Sequence, residues 1–370
     1  MRILHVTDGI PPVVLGGSGR IAVEICAGLK ERGHVTEILT AADLSPRTQR
    51  WAHYRSVFSA SRAKEVTEAI LRWKPDLVHA HVLAWQMGYR WIERVADAGI
   101  PCVMTMHDVM AVSCGKVTGD ESSLWLKDLL RARWTWNPLR NAFIRKSLGR
   151  CKHILCVSDA LRTYLEAQGI QNMQTLHNGI DLTFWTEHTS QSDARSRLKL
   201  PSNVLLFLFA GRGGYDKGTD VIARILPENS HLIIAGDVDR TIFASMTDRI
   251  HIFPHQTAEQ MRLLYAASDA AIVPSIYLDP FPTVCLEAMA CGRPVLATSF
   301  GGAKEAVVDG VTGWLRDPQS PAFAEQLQWC SEHRLELGIF GEAARKHMEE
   351  NFSRERFLDE LMEVYRNMLP

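Results

Sequence analysis

Short apolar runs alternate with amphipathic stretches along most of the 370 residues, and that alternation restricts the chain to one architectural class. In the first half RILHVT, DLVHAH, CVMTMHD and HILCVS read as strands, while GRIAVEICAGLKERGH and EVTEAILRWK read as helices. Strands joined through helices run parallel, because a chain returning to the same end of a sheet needs a long crossover. After a polar stretch near Thr186 to Ser196 the alternation restarts with NVLLFLFAG, HLIIAGD, IHIFP, DAAIVPS and RPVLATS. The sequence therefore predicts an α/β protein of two Rossmann-like, doubly wound domains facing each other across a cleft, with ligands at the C-terminal ends of strands. The expected bounds are 1–183 and 184–352, with a C-terminal helix over 353–370 that returns to the first domain.

Composition narrows the function. The chain is 46% hydrophobic with a net charge of −1, enough apolar content for two cores and too little basic charge for a nucleic-acid surface. The basic excess is local: nine basic and three acidic residues fall between Lys116 and Lys152. The eight cysteines form no Cys-x-x-Cys pair and mostly sit in apolar runs, which reads as core thiols in a reducing compartment. MRILHVTDG lacks the features of a signal peptide, so the expected location is the cytoplasm, with peripheral contact at the inner membrane face as a variant.

Three stretches carry candidate chemistry. From Ser275 to Leu315, Asp279 and Glu287 stand eight positions apart across a Pro-rich loop and an apolar helix, followed by a strand and a Gly-Gly turn ending at Glu305. A helix start there offers unpaired N–H groups to an anion, and Glu287 inside LEAMAC needs a hydrogen-bond partner such as a ribose hydroxyl. In FAGRGGYDKG, Arg212 and Lys217 leave an apolar strand five residues apart among glycines. An arginine fork with a nearby lysine suits a departing diphosphate, although surface solvation explains either residue alone. Gly16 and Gly17 open a weaker loop before the first helix; it lacks the G-x-G-x-x-G spacing, and a tight turn is the alternative. His107, at the end of CVMTMH, reads from the residues alone as a cap on the sheet. His79 and His81 in VHAHV are structural or acceptor-side groups.

Taken together, the Gly-Gly loop at 16 and 17, His107 in TMHD, the SDA turn at Ser158, HNGID at 177 to 181, GRGGYDKG, PSIYLDPFPTVCLEAMACG and the GGAKE turn resemble the retaining nucleotide-sugar glycosyltransferases of family 4, which have the GT-B fold. The resemblance covers nearly the whole chain. It implies an acceptor-side first domain and a donor-binding second domain, with Arg212 and Lys217 on the donor diphosphate, Glu287 on the ribose, His255 beside the nucleobase, and Gly16, Gly17, Phe281, Pro282 and Thr283 completing the donor site. His107 and Asp279 would orient the donor sugar. Asp279 replaces the first glutamate of the family's Glu-x7-Glu pattern with a carboxylate one methylene shorter, and His255 stands where many relatives have glycine.

No cofactor and no metal are expected. Asp237 and Asp239 spell the Asp-x-Asp by which other glycosyltransferases hold a divalent ion, but they follow a different strand from the basic pair. The expected partners are a nucleotide-sugar donor and a glycan, lipid-linked or small-molecule acceptor. The segment 116–152, with Trp125, Trp134, Trp136, Arg131, Arg133, Arg140 and Arg145, fits an anionic membrane or acceptor groove as well as it fits a helical hairpin with tryptophans in its core. The rival functions are a sugar-nucleotide epimerase on a similar fold, a non-catalytic sugar-nucleotide-binding subunit, and a nicotinamide-dependent dehydrogenase, the last opposed by the missing glycine fingerprint and its acid.

Overall fold

The computed structural model describes residues 1–11, 17–45, 51–113, 117, 137–186 and 189–369. They form two compact units: residues 1–117, 137–178 and 355–369 make the first, and Gly179–Arg354 the second.

Each unit is built on one six-stranded, all-parallel sheet. In the first, β1 (Arg2–Val6), β2 (Val35–Leu39), β3 (Leu77–Ala80), β4 (Cys102–Met106), β5 (His153–Cys156) and β6 (Met173–Thr175) lie in the order β2-β1-β3-β4-β5-β6. In the second, β7 (Leu205–Ala210), β8 (Ser230–Ala235), β9 (Ile250–Phe253), β10 (Ala270–Val273), β11 (Val295–Thr298) and β12 (Gly313–Arg316) lie in the order β12-β11-β10-β7-β8-β9. β3, β4 and β10 are buried at every position, which is why their sequences are continuous apolar runs with little alternation.

The helices supply the covering faces. Gly17–Glu31 buries Ile21, Ile25 and Leu29 against Ile3, Leu77, Val103 and Leu155 of the first sheet. The same core takes Phe357, Leu358, Leu361, Met362 and Tyr365 from the helix Arg354–Met368. Contact between the two helices is close enough that a Cβ on Gly28 would meet Leu358 Cδ1 at 2.5 Å. In the second unit Phe207, Phe209, Leu232, Ile234, Ile272 and Leu296 pack with Phe243, Trp314, Phe323 and Leu327.

One buried ionic group ties the second unit together at the strand starts, the opposite edge of the sheet from the strand exits. Asp269, just before β10, accepts from Arg195 at 2.7 Å, from the Leu206 N–H at 2.7 Å, and from Gln191 and Arg334 at 3.1 Å each. Four donors on one carboxylate compensate its burial.

Because the helix Arg354–Met368 fills the core of the first unit, Leu361→Ala should destabilise that unit by about 3 kcal/mol, the usual cost of a core cavity. Denaturant unfolding of the variant is the check; a change below about 1 kcal/mol would place Leu361 outside the core.

Candidate active site

The second unit presents its polar groups where the strands end. β7 leads into Gly211, with φ +139°, then Arg212, Gly213, Gly214, a short 3-10 turn over Tyr215–Lys217, and Gly218 with φ +73°. Two of these glycines are there because neighbours leave no room: a Cβ on Gly218 would lie 2.1 Å from the Pro274 carbonyl, and one on Gly213 would lie 2.4 Å from Val238 Cγ1. A backbone bond from Ile276 N–H to the Asp216 carbonyl, 3.0 Å, fastens this loop to the segment after β10.

That segment brings Lys217 and Asp279 together. Lys217 Nζ donates to Asp279 Oδ2 at 2.7 Å, and Ser275 Oγ donates to the same oxygen at 3.1 Å. Tyr277 adds its ring, 5.0 Å from the ammonium, and its phenol engages both partners. Burial alone would lower the Lys217 pKa; the adjacent Asp279 carboxylate outweighs it and holds the ammonium above its usual range. The phenol of Tyr277 is pushed up, first by burial and then by the Asp279 charge. In this state Lys217 is therefore paired within the protein, a contact that spacing along the sequence does not reveal.

The loop carrying Asp279 is braced from β11. Gly302 N–H donates to the Asp279 carbonyl at 2.8 Å, and a Cβ on Gly302 would lie 1.8 Å from the Pro280 carbonyl. Phe281 is buried against Phe352, with ring centroids 6.0 Å apart, and Pro282 caps the helix Thr283–Ala290. Within that helix Glu287 is 4% exposed and accepts from the buried Tyr265 hydroxyl at 3.0 Å. The sequence had pointed to a ligand hydroxyl as the group that would accommodate Glu287; the fold supplies a tyrosine from the helix Ala258–Ala267. His255 lies exposed in the bend after β9. Asp239 accepts from Thr241 N–H and Oγ1 at 2.9 and 2.7 Å and so caps the turn that begins at Arg240.

In the first unit Gly17 begins the helix Gly17–Glu31, and Gly16 lies outside the described residues. His107 follows β4, half-buried, and burial pushes its pKa down to about 4. Its Nε2 is 3.1 Å from His81 Nδ1, so His81 is a partner of His107. Asp8, which the sequence did not single out, lies two residues after β1 and accepts backbone N–H groups from Trp85, Gln86 and Met87 at 2.6, 2.8 and 2.7 Å. Burial raises its pKa to about 6, against the lowering effect of those three bonds.

The basic segment needs a correction at one position. Arg140 is 0% exposed and donates to the carbonyls of His53 and Met110 at 3.1 and 2.7 Å, so it is a structural core arginine that no membrane surface can reach. Trp125, Lys127, Arg131, Arg133, Trp134 and Trp136 lie outside the described residues. Among the described residues no helix is long and apolar enough to cross a membrane.

Residues 15–184 match the model for Glycosyltransferase Family 4, and residues 190–347 match that for Glycosyl transferases group 1. The two matches together span most of the chain and place it among the glycosyltransferases, with residues 15–184 fitting family 4. The chain is 26% identical over 359 residues to a glycogen synthase of Mycobacterium tuberculosis, covering 85% of this chain and 81% of that one. Sucrose-phosphate synthase from Thermosynechococcus elongatus superposes with a TM-score of 0.81 at 19% identity, covering 99% of this chain and 98% of that one. Anabaena HepE in complex with UDP-glucose gives a TM-score of 0.74 at 19% identity over 99% and 100%. The fold is GT-B, and the activity is sugar transfer from a nucleotide-sugar donor; neither the epimerase nor the silent-subunit reading is favoured.

The first unit carries a pH dependence. His5, His79 and His81 are fully buried, and burial, aided for His79 and His81 by neighbouring histidines, depresses all three. Groups depressed in the fold stay neutral while the unfolded chain takes up protons, so stability is present above the unfolded histidine value and is lost as pH falls through it. Each contributes up to about 1.4 kcal/mol per pH unit below pH ~6.5. Denaturation midpoints measured from pH 7 to pH 5.5 should decline with more than one proton taken up on unfolding; a flat profile would contradict the burial.

Proposed function

We propose that this glycosyltransferase transfers its sugar with retention of anomeric configuration, without a divalent metal, to a hydroxyl of a glycan or lipid-linked acceptor. The observation that carries the reading is the 2.7 Å Lys217–Asp279 pair at the exit of β7. A diphosphate arriving at that loop gives the ammonium a second anionic partner, while Arg212 on the same glycine-rich turn adds a planar fork for its oxygens. Two side-chain cations then neutralise the departing diphosphate, the task a metal ion performs elsewhere. Lys217 released toward phosphate frees Asp279, braced by Ser275, to accept from a donor-sugar hydroxyl. In this reading Glu287, held by Tyr265, faces the ribose, and His255, Phe281, Pro282 and Thr283 surround the nucleoside end. His107 orients the sugar. HepE, solved with UDP-glucose, makes uridine nucleotides the first donors to test.

The two members of the pair separate folding from catalysis. Lys217→Ala leaves a mostly buried carboxylate unpaired and should cost about 3 kcal/mol of stability, which Asp279→Asn in the same chain should largely restore. Turnover should not recover: both variants should remain at least about a hundredfold below wild type, the scale of losing one donor to a developing negative charge. Full recovery of turnover in the double variant would make the pair structural only.

The chemistry is read by transfer from UDP-glucose, GDP-mannose or ADP-glucose, chosen by which nucleotide raises the melting temperature. NMR of the product should show the donor's anomeric configuration, and excess chelator should leave the rate unchanged. An inverted product, or a rate abolished by chelator and rescued by magnesium, would replace this mechanism with another.

A further inference from the structure

Four histidines converge at one end of the first sheet, and the described contacts link three of them in a line. His107 Nε2 lies 3.1 Å from His81 Nδ1, and His81 Nε2 lies 3.1 Å from His5 Nδ1. The line ends inside the core, where His5 Nε2 is buried without a partner. His79 stands beside the line, its ring 4.1 Å from that of His81, with both nitrogens already used by Tyr365 Oη at 2.6 Å and Thr105 Oγ1 at 2.7 Å.

Each neutral imidazole carries one N–H, so the two links admit two arrangements. In the inward one, His107 Nε2–H donates to His81, His81 Nε2–H donates to His5, and the last N–H is driven into the core with nothing to receive it. In the outward one, His5 Nδ1–H donates to His81 Nε2 and His81 Nδ1–H donates to His107 Nε2. The atom stranded at His5 is then a lone pair. Orphaned buried N–H groups are rarer in folded proteins than under-used acceptors, which favours the outward arrangement. Burial keeps all three rings neutral near pH 7, so no extra proton relieves the choice.

We infer that His81 and His5 are positioning residues that fix the tautomer of His107, leaving it a neutral Nδ1–H donor whose Nε2 is occupied. His107 then offers a ligand one hydrogen-bond donor and no free basic nitrogen. On the functional reading above, on which this inference rests, His107 holds an oxygen of the donor sugar and does not abstract the acceptor proton. A metal at this point is the competing use, since nitrogens of His5, His79 and His81 lie within 4.8 Å of one another. It would have to break the bonds of His79 to Tyr365 and Thr105 and bury a dication among neutral ligands.

Long-range 1H–15N NMR of the full-length, 15N-histidine-labelled chain at neutral pH reads these tautomers without any substrate, with His107 assigned by its loss in His107→Gln. The expected pattern is pyrrole-type Nδ1 and pyridine-type Nε2 in His107, His81 and His5. A proton on Nε2 of His107, or on both its nitrogens, overturns the inference. His81→Leu should leave His107 in mixed tautomers, and His81→Asn, whose amide N–H can replace Nδ1–H, should restore the single form. In transfer assays His81→Leu should lower kcat by about tenfold or more with KM for donor little changed, the scale on which loss of a histidine's orienting partner is felt, and His81→Asn should recover most of it. Zinc that raises the melting temperature of wild type but not of His5→Leu would also overturn it, by making the cluster a metal site. A chain with the expected tautomers that transfers no sugar would refute the functional reading and leave this inference standing.

Discussion

Burial of parallel strands on both faces is the constraint on which the rest of this structure depends. A strand covered by helices above and below has no solvated face, so a polar side chain on it can find partners only inside the protein. His79 does so through Thr105 on the neighbouring strand and Tyr365 on the last helix. Thr36 does so through the Cys26 carbonyl at 2.9 Å. What the interior cannot accommodate moves to the strand ends, and there Arg212, Lys217 and His107 are found.

At those ends position is set by close backbone approach as much as by side chains. Gly218 against Pro274 and Gly302 against Pro280 leave no space for a Cβ, so the loops bearing Lys217 and Asp279 are clamped from two directions. The ion pair between them is a consequence of that clamping. It makes Lys217 and Asp279 one electrostatic unit, in which neither charge can be removed without leaving the other without its counter-charge.

Much of this was legible in the sequence. The apolar runs from RILHVT to RPVLATS became strands because helices cover them, and the family motifs fell at strand exits. Contacts that depend on register between distant segments were not legible. His5 and His79 are paired in register across β1 and β3, and only that pairing brings VHAHV beside the opening strand. Tyr265 meets Glu287 from a separate helix within LLYAAS, a run with no polar pattern to mark it. Arg140 shows the opposite failure: one of nine basic residues in its segment, it reads as surface charge until the carbonyls of His53 and Met110 are seen to enclose it.

The helix Arg354–Met368 belongs to the first unit although it follows the whole of the second in the chain. On the ribosome, domains ordinarily fold as they emerge. Here the first sheet must wait, with Ile3, Leu29 and Leu77 lacking their final cover, until the last of the second unit has been made. The unit synthesised first is thus the last to close, and during that interval its apolar surface is open to chaperones or to mispairing with another nascent chain.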